Sequence, residues 1–209
     1  MKNLDWRRIL PIVMLFAGLA LLGYVATQYS QMYFAQRALA HRWAEQQAAP
    51  PSPTSSADAK PADDGLVRLS IPKINLDDVV VEGTNHKSLL LGPGHLEDTP
   101  QPGDAGNAVI SGHRDTFFRH IHELEKGDVV TVQRSGRTYQ YEVTGKRIVP
   151  PEDMSVIGPT QDTELTLITC YPTYYIGPAP DRLVVFTRLI TPKDQATNAS
   201  DATAAAAAH

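Results

Sequence analysis

Cysteine is almost missing from this chain: of its 209 residues one is a cysteine, Cys170. A lone thiol closes no intramolecular bridge, so a disulfide framework is excluded. Cys170 is then a buried inert thiol, a reactive one, or half of an intermolecular bridge. An excess of basic residues is missing too. Nineteen Lys and Arg stand against 23 Asp and Glu, giving a formal charge of -4 with the two signs interspersed. Nucleic-acid binding needs a basic stripe, so no nucleic-acid partner is expected. No CxxC or HxxxH spacing occurs, which leaves a four-ligand zinc site without ligands; no metal and no cofactor are expected. There is no Walker loop, GxSxG elbow or dinucleotide fingerprint, and no internal repeat at a fixed period.

Long apolar runs are absent with one exception. Ile9 to Ala26 reads ILPIVMLFAGLALLGYVA without a charge, preceded by Lys2, Arg7 and Arg8. A helix rises 1.5 Å per residue, so about 18–20 residues cross a hydrocarbon core of ~30 Å. The basic flank favours a cytoplasmic N-terminus and export of the residues beyond the run. A cleaved signal peptide is the rival reading. The run is longer than the usual apolar region of such a peptide, however, and no small-x-small site closes it. An uncleaved, single-pass anchor over residues 1–27 is therefore expected, with the rest of the chain extracytoplasmic.

Residues 28–65 are read as stalk and linker. Gln28 to Gln47 lacks Gly and Pro, and its aromatics recur near helical spacing, which suggests a helical stalk with aromatics at the membrane surface. The tract AAPPSPTSSADAKPADD (48–64) cannot bury a core and reads as an extended tether. The alanine-rich end, residues 191–209, is read as a disordered tail. Between them, residues 66–190 change in character. Short β-type runs (LVRLSI, DDVVV, NAVISGH, DVVTVQ, TYQYEVTGKRIV, ELTLITC and RLVVFTRL) alternate with Gly and Pro signals. Helical candidates are confined to Lys87–Leu91 and Phe117–Leu124. Many strands and few helices predict an all-β domain, an antiparallel sandwich or barrel. Its length of about 125 residues is enough for a core without staples. Gly92-Pro93-Gly94-His95 reads as a structural turn.

Cys170 ends the strand Thr166–Cys170, just before Tyr171-Pro172, where pairing must stop. Free cysteines are more often buried and inert, so position alone argues little. Arg182 adds to it. An eleven-residue connection, Tyr171 to Asp181, leads to the strand opening at Arg182. If the two strands pair in the antiparallel register centred on Ile176, Cys170 and Arg182 lie opposite on one face, with Cβ atoms about 4.5–5.5 Å apart. The guanidinium then favours the thiolate and stabilises an oxyanion beside the sulfur. A slip of one residue turns Arg182 to the other face, where it is a plain surface charge. His113 is the third candidate. Of seven histidines it alone ends an apolar strand, NAVISGH, and imidazole suits proton transfer to a leaving amine. His120 and His122, two apart on the expected helix, should face different ways. Arg114 reads as a surface charge. Asp181, beside Arg182, weakens the arginine's field if it curls toward it.

These residues resemble a known family. TLITC (166–170) is similar to the TLxTC signature of sortases, with an upstream His at a strand end and an Arg opening the next strand. GPGH and PGDAGNAVISGHRDT (102–116) resemble the region around the sortase histidine, and ITCYP with GPAPDRLVV (177–185) looks most like the class D branch. The resemblance spans the whole region 66–190. It implies a closed barrel of about eight strands with two or three short helices. It also implies a cysteine transpeptidase in which Cys170 attacks an LPxTG-like sorting signal of a secreted protein and forms a thioacyl enzyme. An amine acceptor on the cell surface then takes the acyl group, with His113 moving protons and Arg182 holding the oxyanion. Thr169 matches the family's Thr before Cys and is a candidate for orienting the site or binding substrate. Tyr174 and Tyr175 are candidates for lining the peptide groove or covering the barrel end. Two other readings stay open: a thiol endopeptidase that only hydrolyses, and a tethered β-domain without catalysis.

Overall fold

A computed structural model describes residues 6–48, 66–174 and 177–190. The expected tether and tail, and Tyr175, lie outside the described residues. The chain opens with a 43-residue helix, α1 (Trp6–Ala48). Its segment Ile9–Gln46 contains a stretch long and apolar enough to cross a membrane. The large apolar side chains from Leu10 to Val25 stand exposed, as they would facing lipid.

Eight strands follow: β1 (Val67–Ile71), β2 (Leu76–Glu82), β3 (Gly94–His95), β4 (Gly106–Gly112), β5 (Val129–Arg134), β6 (Arg137–Val149), β7 (Thr163–Tyr171) and β8 (Asp181–Leu189). They close into a barrel in the order β1-β2-β3-β4-β7-β8-β6-β5. Closure removes the free edges that an open sheet would expose. One short helix, α2 (His86–Leu91), lies between β2 and β3, close to the expected span. Asn85 caps it, its side chain accepting from the amides of Lys87 and Ser88.

The β-type runs read from the sequence fill the barrel. Leu69, Ile71, Ile110, Val130, Val132, Tyr141, Leu165, Leu167 and Val185 are all fully buried in one core. Tyr141 keeps its hydroxyl satisfied by accepting from the Gly103 amide at 2.7 Å. Burial pushes its pKa up to about 12.

Three expectations are corrected. The sheet is mixed rather than antiparallel, because β2 pairs with β3, and β4 with β7, in parallel. The GPGH turn contains a strand: Gly94 and His95 bridge β2 and β4, and His95 is buried, its ring 2.8 Å from the Glu82 carboxylate and 3.0 Å from the Pro100 carbonyl. The helix expected over Phe117–Leu124 shrinks to a single 3-10 turn, Ile121–Glu123. Phe118, Ile121 and Leu124 recur every third residue and all are buried, a period that suits turns tucked under a barrel better than an α-helix. For the same reason His120 and His122 do not diverge; their rings lie 6.4 Å apart at 30°.

Candidate active site

The register between β7 and β8 sets Cys170 opposite Arg182, and Tyr171 opposite Asp181. That pairing is the one centred on Ile176. Alternation then sorts the two strands. Leu165, Leu167, Leu183 and Val185 point into the core, so Ile168, Cys170, Arg182 and Val184 occupy the outer face. Strand β4 runs parallel to β7 with Ser111 beside Ile168 and Gly112 beside Thr169. One step further along this register brings His113 level with Cys170. Strands β7 and β8 thus bring the thiol and the guanidinium to one end of one face, and His113 follows the last paired residue of β4 at that end.

That face carries a groove of ≈ 240 Å³. Its floor is Val109, Ser111, Ile168 and Arg182, and its wall is the segment Val149–Ile157 with the 3-10 turn Met154–Ile157. Cys170 is half-buried, two residues beyond Ile168 at the arginine end. A largely apolar trough with a guanidinium in its lining suits an extended peptide.

Arg182 donates from Nη1 to the carbonyls of Asp181 (2.9 Å) and Ala179 (3.4 Å). The Asp181 contact is to backbone, and among the described residues no ion pair joins the two side chains. A guanidinium has five donors, so two carbonyls leave others to face the groove.

The His113 ring lies 5.9 Å from that of His86, the first residue of α2, edge to face. Neither of its nitrogens has a hydrogen-bond partner among the described residues. Partial burial lowers its pKa below the ordinary imidazole value, Asp115 pulling the other way and His86 adding to the lowering. The neutral form, which accepts a proton, is favoured.

Thr169, the candidate for orienting the site or binding substrate, lies inside the barrel wall. It is 1% exposed, on the face opposite Cys170, and its hydroxyl donates to the Gly112 carbonyl at 2.7 Å. It ties the end of β4, and so the residue after it, His113, to β7. Tyr174 is 84% exposed. It lines a second groove with His122, Lys146, Ile148, Tyr171 and Leu183, beside the site rather than in the first groove. Arg114 is no idle surface charge. It donates to the carbonyls of Pro172 and Gly177 and so straps the connection between β7 and β8 beside Cys170. Nothing in its local sequence pointed to a contact some sixty residues away.

A closed barrel that sets its one thiol opposite an arginine, which itself lines a groove on the same face, is an architecture suited to a β-barrel cysteine enzyme. The comparisons identify which. Residues 69–190 match the Sortase domain family. Sortase D of Bacillus subtilis (strain 168) is 33% identical over 197 residues, covering 88% of this chain and 100% of that protein. The solved structure of a Clostridium perfringens Sortase D5 transpeptidase superposes with a TM-score of 0.64 at 26% identity, over 75% of this chain and 98% of that one. A Clostridium perfringens sortase C with the C-terminal cell wall sorting motif gives a TM-score of 0.55 at 29% identity, over 59% of this chain and 69% of that one. The chain belongs to the sortase family, whose members are cysteine transpeptidases acting on sorting signals.

Proposed function

We propose that this sortase is held in the membrane by the first part of α1, N-terminus inside, and works outside the cytoplasm on LPxTG-like signals of secreted proteins. Cys170 is its nucleophile, His113 its acid and base, and Arg182 its oxyanion donor. The observation that carries the assignment is the register: Cys170 faces Arg182 directly, and β4 brings His113 level with both.

The neutral His113 takes the proton of the Cys170 thiol, and the thiolate attacks the carbonyl carbon after the signal's Thr. The new C–S bond leaves a tetrahedral oxyanion, which Arg182 holds. As the C–N bond breaks, the His113 imidazolium hands its proton to the departing amine nitrogen, leaving a thioester on Cys170. An incoming amine attacks that thioester and gives its proton to His113. Collapse forms the new amide and returns the thiolate. The amine acceptor is a peptide or protein amine at the cell surface. Substrate lies along the groove between β4, β7 and the Val149–Ile157 wall.

The test is turnover of a fluorogenic LPxTG-like peptide by the full chain in detergent, with and without an added amine. An amine-containing product supports acyl transfer, whereas free acid alone reduces the enzyme to a hydrolase. Cys170→Ala should remove at least about 10⁴-fold of the rate, as loss of a covalent nucleophile does elsewhere. Retained turnover in that variant ends the assignment.

A further inference from the structure

The second half of α1 does more than space the barrel from the membrane. Strand β3 is two residues long, so β2 has no strand partner on that side at Val79. An open edge there leaves a backbone donor and acceptor to be satisfied. The side-chain amide of Gln36 takes the place of the missing strand. Its Oε1 accepts from the Val79 amide at 3.0 Å, and its Nε2 donates to the Val79 carbonyl at 3.1 Å and to the Leu91 carbonyl at 2.6 Å. Gly92 makes room: a Cβ there would collide with the Gln36 amide and with the Val79 carbonyl oxygen. Two more contacts lie further along the helix. The Arg68 guanidinium lies 4.7 Å over the Trp43 ring, and Gln46 accepts from the Leu66 amide at 3.4 Å. Residues 36, 43 and 46 share one helix face, so the clamp spans about 15 Å of helix and resists swivelling.

The same helix runs unbroken from the apolar stretch into the clamp. Gln36 lies ten residues beyond Ala26, about 15 Å of rise. Within that interval Tyr29 and Met32 share an apolar groove with Leu90, Leu91 and Thr116. Thr116 is three residues from His113, so the catalytic segment stands level with residues 28–32. That level is about 3–9 Å beyond the end of the apolar stretch.

We propose that the Gln36 clamp makes α1 a rigid ruler, which holds the catalytic groove at one height above the bilayer and thereby sets the shortest spacing at which a membrane-held substrate chain can be cut. This rests on the proposed anchoring and activity. The substrate class is a polypeptide whose sorting motif lies a few residues from its own membrane-spanning segment. A flexible tether would impose no such minimum, because the barrel would settle at whatever height the substrate offered.

The experiment places the full chain in phosphatidylcholine–phosphatidylglycerol vesicles together with substrates whose motif and apolar span are separated by spacers of graded length. A seven-residue helical insert between Thr27 and Gln28 raises the barrel by about 10 Å. An extended chain covers about 3.3–3.6 Å per residue, so the shortest cleavable spacer should lengthen by about three residues. Cleavage of a soluble motif peptide should stay as in the wild type. An unchanged spacer profile overturns the ruler. Failure of the wild type on the soluble peptide would instead overturn the assigned activity. A second measurement needs no turnover: in Gln36→Leu, amide exchange at Val79 should speed up at least about tenfold while Leu69 and Ile71 stay protected. Unchanged protection at Val79 would show that the clamp does not form.

Discussion

His95 and His113 stand at the ends of neighbouring strands, β3 and β4, within one barrel wall. His95 is 1% exposed, and both of its ring nitrogens have partners: Glu82 on one side, the Pro100 carbonyl and Thr99 on the other. His113 is half-buried, with another imidazole for a neighbour and neither ring nitrogen bonded among the described residues. A ring with every polar atom committed ties loops together, and moving a proton there breaks bonds. A half-buried ring whose nitrogens carry no bond among the described residues can accept and return a proton at little structural cost. The difference separates an imidazole tied into the scaffold from one whose nitrogens are open to proton transfer, and composition alone does not distinguish them.

The comparison breaks if the two substitutions have like effects. His113→Ala is expected to lower kcat/KM by about 10²–10⁴, the usual worth of a general acid–base group. Its stability should stay within about 1 kcal/mol of wild type, read from the denaturant midpoint at constant slope. Arg182→Ala should cost about 10²–10³ in kcat, as loss of an oxyanion donor does, and Arg182→Lys should restore only part of it, since a point charge lacks the fork. Equal activity of the alanine and lysine variants would mean that the arginine serves structure. His95→Ala should lower stability by about 2–4 kcal/mol, through unpaired buried groups and lost packing, while the folded fraction keeps its kcat. If His95→Ala loses turnover at unchanged stability, the division between the two histidines is wrong.

The smallest effect is a pH slope. Burial holds the folded-state pKa of His113 below its unfolded value of about 6.5. Between those two values the unfolded chain binds more protons, so stability rises with pH there. Its contribution is present above the unfolded pKa and is lost as pH falls toward the folded one. The midpoint of unfolding should therefore drop on acidification below about pH 6.5, and His113→Gln should flatten that part of the curve. A slope identical in the variant would place the proton linkage elsewhere.

Much of this was legible in the residues. The β-type runs ELTLITC and RLVVFTRL marked two strands, and the eleven-residue connection between their ends allowed the register, found in the structure, that sets Cys170 against Arg182. Strand alternation also implied that Thr169, adjacent to Cys170, must face the other way, and it does. Three things were not legible. Strand β3 is only Gly94 and His95, too short for any periodicity. The every-third-residue spacing of Phe118, Ile121 and Leu124 stands out as turns only once their burial is known, and before that it passes for one face of a helix. The reach of Arg114 to Pro172 and Gly177, and of Gln36 to Val79, depends on parts of the chain about sixty and about forty residues away. Such contacts belong to the closed barrel and leave no local mark.

The parallel pairing of β4 with β7 has a consequence in time as well as in space. Gly112 and Thr169 are neighbours across that pairing but lie far apart along the chain, with β5 and β6 between them. Contacts of such long sequence separation form late, once the loop-closure entropy has been overcome. During synthesis, the thiol of Cys170 is made well after His113 and has no arginine opposite it until β8 arrives. Cys170 thus meets Arg182 only when the last strand seals the barrel, and an unfinished chain carries an ordinary cysteine.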